Sequence, residues 1–96
     1  MSEYQMFRVK NKIRLLMSNR ILFLTRNIWY SDICKDYINV HFPLVKIVSD
    51  KKLDKNFAKD SESFDYIIAF GYQYILPAEI LLLAKKGAIN IHPDEY

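Results

Sequence analysis

The feature that most constrains this chain is a pair of apolar runs that do not alternate. "RILFLT" (20–25) and "FDYIIAFG" (64–71) place large aliphatic and aromatic side chains at consecutive positions. A strand with one wet face alternates apolar with polar residues. A solid run needs cover on both faces, as in a parallel sheet between helices. Two further strands are expected. One is "FPLVKIVSD" (42–50), where Pro43 suits the first residues and not the centre, and the other is "AINIH" (88–92).

The segments between these runs read as helices. In "SDICKDYIN" (31–39), Ser31 or Asp32 can cap a helix whose apolar residues are Ile33, Tyr37 and Ile38. "KKLDKNFAKDSES" (51–63) is polar, a short helix or loop with Leu53 and Phe57 four apart. "LPAEILLLAKKG" (76–87) reads as a longer helix. Pro77 suits its first turn, Glu79 its amino end, Lys85 and Lys86 its carboxyl end, and Gly87 the position just past it. Such alternation predicts an α/β fold: a Rossmann-like, mostly parallel sheet with flanking helices and right-handed crossovers. Open sheets of this kind bind ligands at the carboxyl ends of their strands. "TRNIW", "GYQYIL" and "HPDEY" are the segments that reach that edge.

A chain of 96 residues allows one small domain, and its 51% apolar content is that of a folded protein. Net charge is +3, but residues 1–20 carry Arg8, Lys10, Lys12, Arg14 and Arg20 against Glu3, a net of +4. The remainder is therefore at −1, and the basic balance describes the leader rather than the body. That argues against a specific nucleic-acid partner. We divide the chain into a basic amino-terminal extension (1–19) and an α/β portion (20–96). Met6, Val9, Ile13 and Leu16 fall near helical spacing in the extension, and Met17 is a second candidate start. The lone Cys34 excludes an internal disulfide and reads as a small buried hydrophobe. No apolar run approaches the ~18 residues of a membrane span, and no secretory signal is evident, so a cytoplasmic protein without a membrane partner is expected.

The first strand is followed by "TRNIWYSD", which has no glycine, so a dinucleotide-binding turn is not expected. With two His, one Cys and no clustered carboxylates, no metal site is expected either. "NIH" (90–92) is the best local candidate for chemistry. Residues two apart on a strand share a face, so Asn90 and His92 project together. An amide and an imidazole side by side can donate hydrogen bonds to an oxygen that gains charge. The pattern is short, and from spacing alone a strand-end His beside an Asn that satisfies loop backbone is the readier account.

The stretch "FDYIIAFGYQYILPAEILLLAKKGAINIHP" resembles the formyltransferases that use 10-formyltetrahydrofolate. These act on glycinamide ribonucleotide, methionyl-tRNA or sugar amines. The shared elements are Asp65 opening an apolar strand, Gly71-Tyr72, Ile75-Leu76, Gly87 and Asn90-Ile91-His92-Pro93. The likeness covers about residues 20–93 and is most specific over 65–93. It implies that Asn90 and His92 are catalytic and stabilise the oxyanion formed when an amine attacks the formyl carbon. It implies that Gln73, Tyr74, Ile75 and Leu76 line the pterin site of the cofactor. A further family aspartate, which supports the His, has no counterpart here, and Asp94 stands too near His92 to replace it. The family continuation after His-Pro is also absent, the residues being Asp94-Glu95-Tyr96. The resemblance therefore implies the amino-terminal part of a truncated catalytic domain, with little activity by itself.

The Tyr-rich turn "FGYQYIL" is most like that of the sugar-amine enzymes, which implies a small-molecule acceptor such as a nucleotide-linked amino sugar. Trp29 and Arg26 are the residues after the first strand that such an acceptor could meet. Two readings from other classes stand beside this one. One is a non-catalytic remnant that binds a protein through its sheet edge or basic leader. The other is a receiver-like regulator, against which no acidic pair follows the first strand. An open edge at the last strand is also expected to favour self-association.

Overall fold

The computed structural model describes Ser2, residues 18–27 and residues 29–92, with backbone alone at Trp29. The expected helix of the extension, the Met17 start, the Trp29 side chain and residues 93–96 lie outside this set. The described residues form an α/β unit with a four-stranded, all-parallel sheet and flanking helices, consistent with a Rossmann-like fold. The strands are β1 (Ile21–Thr25), β2 (Val45–Ser49), β3 (Phe64–Phe70) and β4 (Ala84–Ile91). The helices are α1 (Trp29–His41), α2 (Lys55–Asp60) and α3 (Ala78–Leu81). Sheet order is β2-β1-β3-β4, so the chain steps one way from β1 and then crosses back over it.

The solid apolar run becomes the most enclosed strand, with every residue of β1 buried. Its two faces are both covered because its side chains alternate between two packing layers. Leu22 and Leu24 lie in one core with Ile67, Ala69, Leu53 and Ile80, and Phe57 and Ala58 of α2 pack onto it. Burying each Leu contributes about 1.5–3 kcal/mol. On the opposite face the Phe23 ring stacks on Phe70 at 6.3 Å, and Tyr30 of α1 meets Phe70 edge-on at 5.6 Å.

α1 departs from expectation in two ways. It begins at Trp29, so Ser31 and Asp32 lie in its first turn and do not cap it. Ile33 and Tyr37 are 66% and 61% exposed, whereas Ser31 is buried and Cys34 and Ile38 are half-buried. The helix thus docks through the stripe Ser31, Cys34, Ile38, whose small first members let the helix approach the sheet closely. His41 is exposed, with its ring 4.2 Å from that of Tyr37. Pro43 lies in the turn before β2 and not within the strand. α2 forms where the sequence left helix or loop open. Asp54 caps it, its Oδ1 accepting from the amides of Asn56 and Phe57 at 3.0 and 3.2 Å.

The largest correction concerns residues 76–87. The expected long helix is a single turn, Ala78–Leu81, with Pro77 at its cap position. Lys85, Lys86 and Gly87 belong to β4. The Leu83 carbonyl accepts from the Phe64 amide at 2.8 Å, which starts the ladder with β3 where the helix was expected to continue. Helix propensity loses here to pairing with a buried strand. β4 also holds an extra residue. Phe64 pairs with Ala84 but Tyr66 pairs with Gly87, so a bulge lies at Lys85-Lys86. The Lys86 Nζ reaches the Asn19 Oδ1 at 3.0 Å and lies 3.9 Å from Asp65. Asp65 Oδ2 in turn accepts from the Arg20 amide at 2.8 Å. Asp65 thus anchors the entry to β1.

Candidate functional site

The carboxyl edge of the sheet has three distinct parts. The crevice between β1 and β3, where the strand order reverses, is the expected ligand position in an open sheet. Here the Thr25 hydroxyl donates to the Phe70 carbonyl at 2.7 Å and ties the two strand ends together. Beside it, at the ends of β1 and β2, a polar cluster holds the connections. The Asn27 amide donates to Asp50 Oδ2 at 2.9 Å, and Asn27 Oδ1 accepts from Ser49 Oγ at 2.9 Å and Lys35 Nζ at 3.2 Å. Asp50 takes a positive φ of 53°, a conformation that Asp tolerates better than most residues. Arg26 is half-buried in this region.

The third part is a cavity of about 560 Å³ over β3 and β4. All six residues singled out from sequence line it: Gln73, Tyr74, Ile75, Leu76, Asn90 and His92. The topology accounts for their convergence. β3 delivers the 71–76 turn at its carboxyl end, and β4, its parallel neighbour, delivers Asn90 and His92 at the same end. Asn90 pairs with Ala69 and Ala88 with Ile67, so all four share one face. His92 lies one residue past the end of β4 rather than within it, and still lines the cavity.

Ala69 and Ala88 also line the cavity, and the shortness of their side chains leaves space above two adjacent strands. Ile67, Leu81, Ile89 and Tyr72 complete the lining. The sequence reading missed the two alanines, although small residues on strand positions flanked by Ile were the available signal. Tyr72 entered the sequence reading as part of the Gly71-Tyr72 turn, and in the structure it organises the wall. Its hydroxyl donates to the Lys51 carbonyl at 2.7 Å and accepts from the Leu53 amide at 3.2 Å. Its ring meets Tyr74 edge-on at 5.5 Å. Burial raises the Tyr72 pKa above the ordinary phenol value, the Leu53 amide pulls it partly back, and Tyr74 adds a small upward push. Tyr72 therefore stays neutral and pins the 71–76 turn to the segment after β2.

The cavity is open and largely apolar, with few polar groups placed at one end. Ile75 is 91% exposed, an unusual position for an aliphatic side chain that contributes nothing to the core. Among the described residues no three His, Cys, Asp or Glu side chains gather as metal ligands, and no helix is long and apolar enough to cross a membrane. Comparison with protein-family models, curated proteins and solved structures finds no match for the chain.

Proposed function

We propose that this chain forms the folate-binding part of a formyl-transfer site, in which an amine takes the formyl group of 10-formyltetrahydrofolate. The observation that carries the reading is the convergence of Asn90, His92 and the 73–76 turn on one cavity. The residues present fit the cofactor. A flat heteroaromatic ring matches an apolar slot between Leu76 and Leu81, floored by Ala69 and Ala88. Backbone groups of the 71–76 turn are available to read the ring's polar edge.

When bound, the folate supplies an activated formyl group. The residues then have separate tasks. The Asn90 amide donates to the formyl oxygen and stabilises the charge that develops there as the amine attacks. His92, two residues further along the same edge, would donate a second hydrogen bond to that oxygen and relay the proton lost by the attacking nitrogen to N10 of tetrahydrofolate, which would leave as the formyl C–N10 bond breaks. Leu76 and the turn hold the ring and exclude water from one side. The likeness of "FGYQYIL" to the sugar-amine enzymes favours a nucleotide-linked amino sugar as acceptor.

Isothermal titration with a hydrolysis-resistant 10-formyl folate analogue tests this reading. Binding is expected, and Ile75→Ser is expected to weaken it about tenfold, because a side chain worth roughly 1.5–3 kcal/mol when buried no longer covers the ligand. The same substitution should leave thermal stability unchanged, since Ile75 is exposed in the free protein. No heat of binding at millimolar analogue would sink the proposal.

A further inference from the structure

The two faces of the sheet are covered unequally. Phe57 and Ala58 of α2 and Ile80 of α3 pack on the face of Leu22 and Ile67, so among the described residues α1 is the only helix on the other face. There α1 sits toward β2, where its Lys35 shares the Asn27 side chain with Ser49. The same face of β3 and β4 carries Ile68 and Phe70, both half-buried. They pair with Ile89 and Ile91, which are 52% and 41% exposed. Two strands about 4.8 Å apart take up roughly the ~10 Å width of one helix, and no described helix covers the two isoleucines of β4.

α1 supplies a second wall to this bare strip. Tyr30, Ile33, Tyr37 and Val40 are spaced three, four and three residues apart, so they form one stripe along the helix. The stripe faces β3, because Tyr30 meets Phe70 edge-on while Lys35, on the other flank, reaches toward β2. Beyond Tyr30 it is uncovered: Ile33, Tyr37 and Val40 are 66%, 61% and 73% exposed. A helix stripe with a strip of sheet at its foot makes an apolar trough that runs along α1. Apolar surface gathered in this way marks a docking site.

We propose that the amino-terminal segment, residues 1–17, fills this trough as an amphipathic helix. The described residues that follow the segment lead away from the foot of the trough. Asn19 is buried, and its Oδ1 accepts from Lys86 Nζ of β4 at 3.0 Å. That ammonium group lies 6.0 Å from the ring centre of Tyr66, which shares the face of Ile68. The chain therefore enters β1 beside β4, at the amino edge of the sheet, where α1 also ends. Seventeen residues make a helix of about 25 Å, and the 13 residues of α1 one of about 20 Å, so the lengths match. Met6, Val9, Ile13 and Leu16 repeat the three-four-three spacing of the α1 stripe. Arg8, Lys10, Lys12 and Arg14 make the segment basic, and the exposed Asp32 and Asp36 make the outer flank of α1 acidic. An apolar groove with an acidic rim suits a basic amphipathic helix. Attachment through Asn19 makes the docking intramolecular, at an effective concentration near millimolar that a second copy would have to exceed.

Trypsin digestion of the intact chain, read by mass spectrometry, tests the proposal without any ligand, so its outcome is separate from that of the folate reading. Cleavage after Arg8, Lys10, Lys12 and Arg14 reports how often the segment leaves the trough. Tyr37→Asp on α1, Ile91→Asp on β4 and Ile13→Asp in the segment are each expected to speed this cleavage about tenfold. Ile13→Asp lies outside the sheet and its helices, and keeps the test decisive if either of the others loses the native circular dichroism spectrum. Tyr37→Asp combined with Ile13→Asp is expected to add little to either change alone, because both remove the same contact. A segment cut in the native chain as fast as in the Ile13→Asp protein overturns the proposal. So does a cleavage rate that Tyr37→Asp and Ile91→Asp, both folded, leave unchanged. Protection that falls on dilution overturns it too, since the occupant is then a second copy.

Discussion

Tyr72 shows how one hydroxyl can hold a binding wall in place. It satisfies a carbonyl and an amide of the 51–53 segment at once, and its ring steadies Tyr74. Tyr72→Phe keeps the ring and leaves both backbone groups without their partner, which is expected to cost about 1–3 kcal/mol in chemical denaturation. The pH dependence has a definite sign. A phenol whose folded pKa is raised gives the folded state more bound protons than the unfolded state, once the unfolded phenol ionises near pH 10. Stability should therefore be flat below that pH and fall as pH rises toward the folded value. Tyr72→Phe should shallow this alkaline loss, as read from unfolding midpoints between about pH 9 and 11. Of the residues that line the cavity, the polar ones were legible in the sequence because motif residues are rare and specific. Ala69, Ala88 and the bridging role of the Tyr72 hydroxyl were not, because a small side chain or a bridging hydroxyl acquires meaning only when strands are placed side by side.

At the scale of elements, the strands were legible and one helix was not. Apolar runs without alternation mark buried strands whatever surrounds them, and β1 and β3 lie where "RILFLT" and "FDYIIAFG" put them. "LPAEILLLAKKG" has the composition and end signals of a helix, yet β3 offers a ladder that a parallel strand can complete, and β4 begins at Ala84. Local preference is worth tenths of a kcal/mol per residue, less than a backbone ladder on a buried strand provides. α1 was legible as a helix but not in its rotation, since Ile33 and Tyr37 were the natural choice for a core face and Ser31 and Cys34 took it. α2, a single short element, depends on its cap. Asp54→Ala is expected to cost about 0.5–2 kcal/mol of unfolding free energy, and Asp54→Asn to restore most of it.

Over the whole molecule, the energetic centre is β1, whose five residues are all buried. Leu22→Ala should cost about 2–5 kcal/mol, a large share of the stability available to a domain of this size, and should broaden or abolish the thermal transition. The unit also holds its ligand edge unevenly. The Thr25–Phe70 bond ties the ends of β1 and β3 together, and the cavity described above lies over β3 and β4, one strand pair beyond the point of reversal.

The bulge at Lys85-Lys86 has a consequence of phase. Before it, an even-numbered residue, Ala84, stands opposite Phe64; after it, an odd-numbered one, Gly87, stands opposite Tyr66. The extra residue exchanges parity along the strand, and so it decides that Ala88 and Asn90 share a face with Ile67 and Ala69 while Ile89 and Ile91 take the opposite one. A loop absorbs a gained or lost residue by changing its path. Here the same change would exchange inside for outside along one half of β4, so the chain's tolerance of length variation should be least at the place where it already carries one residue too many.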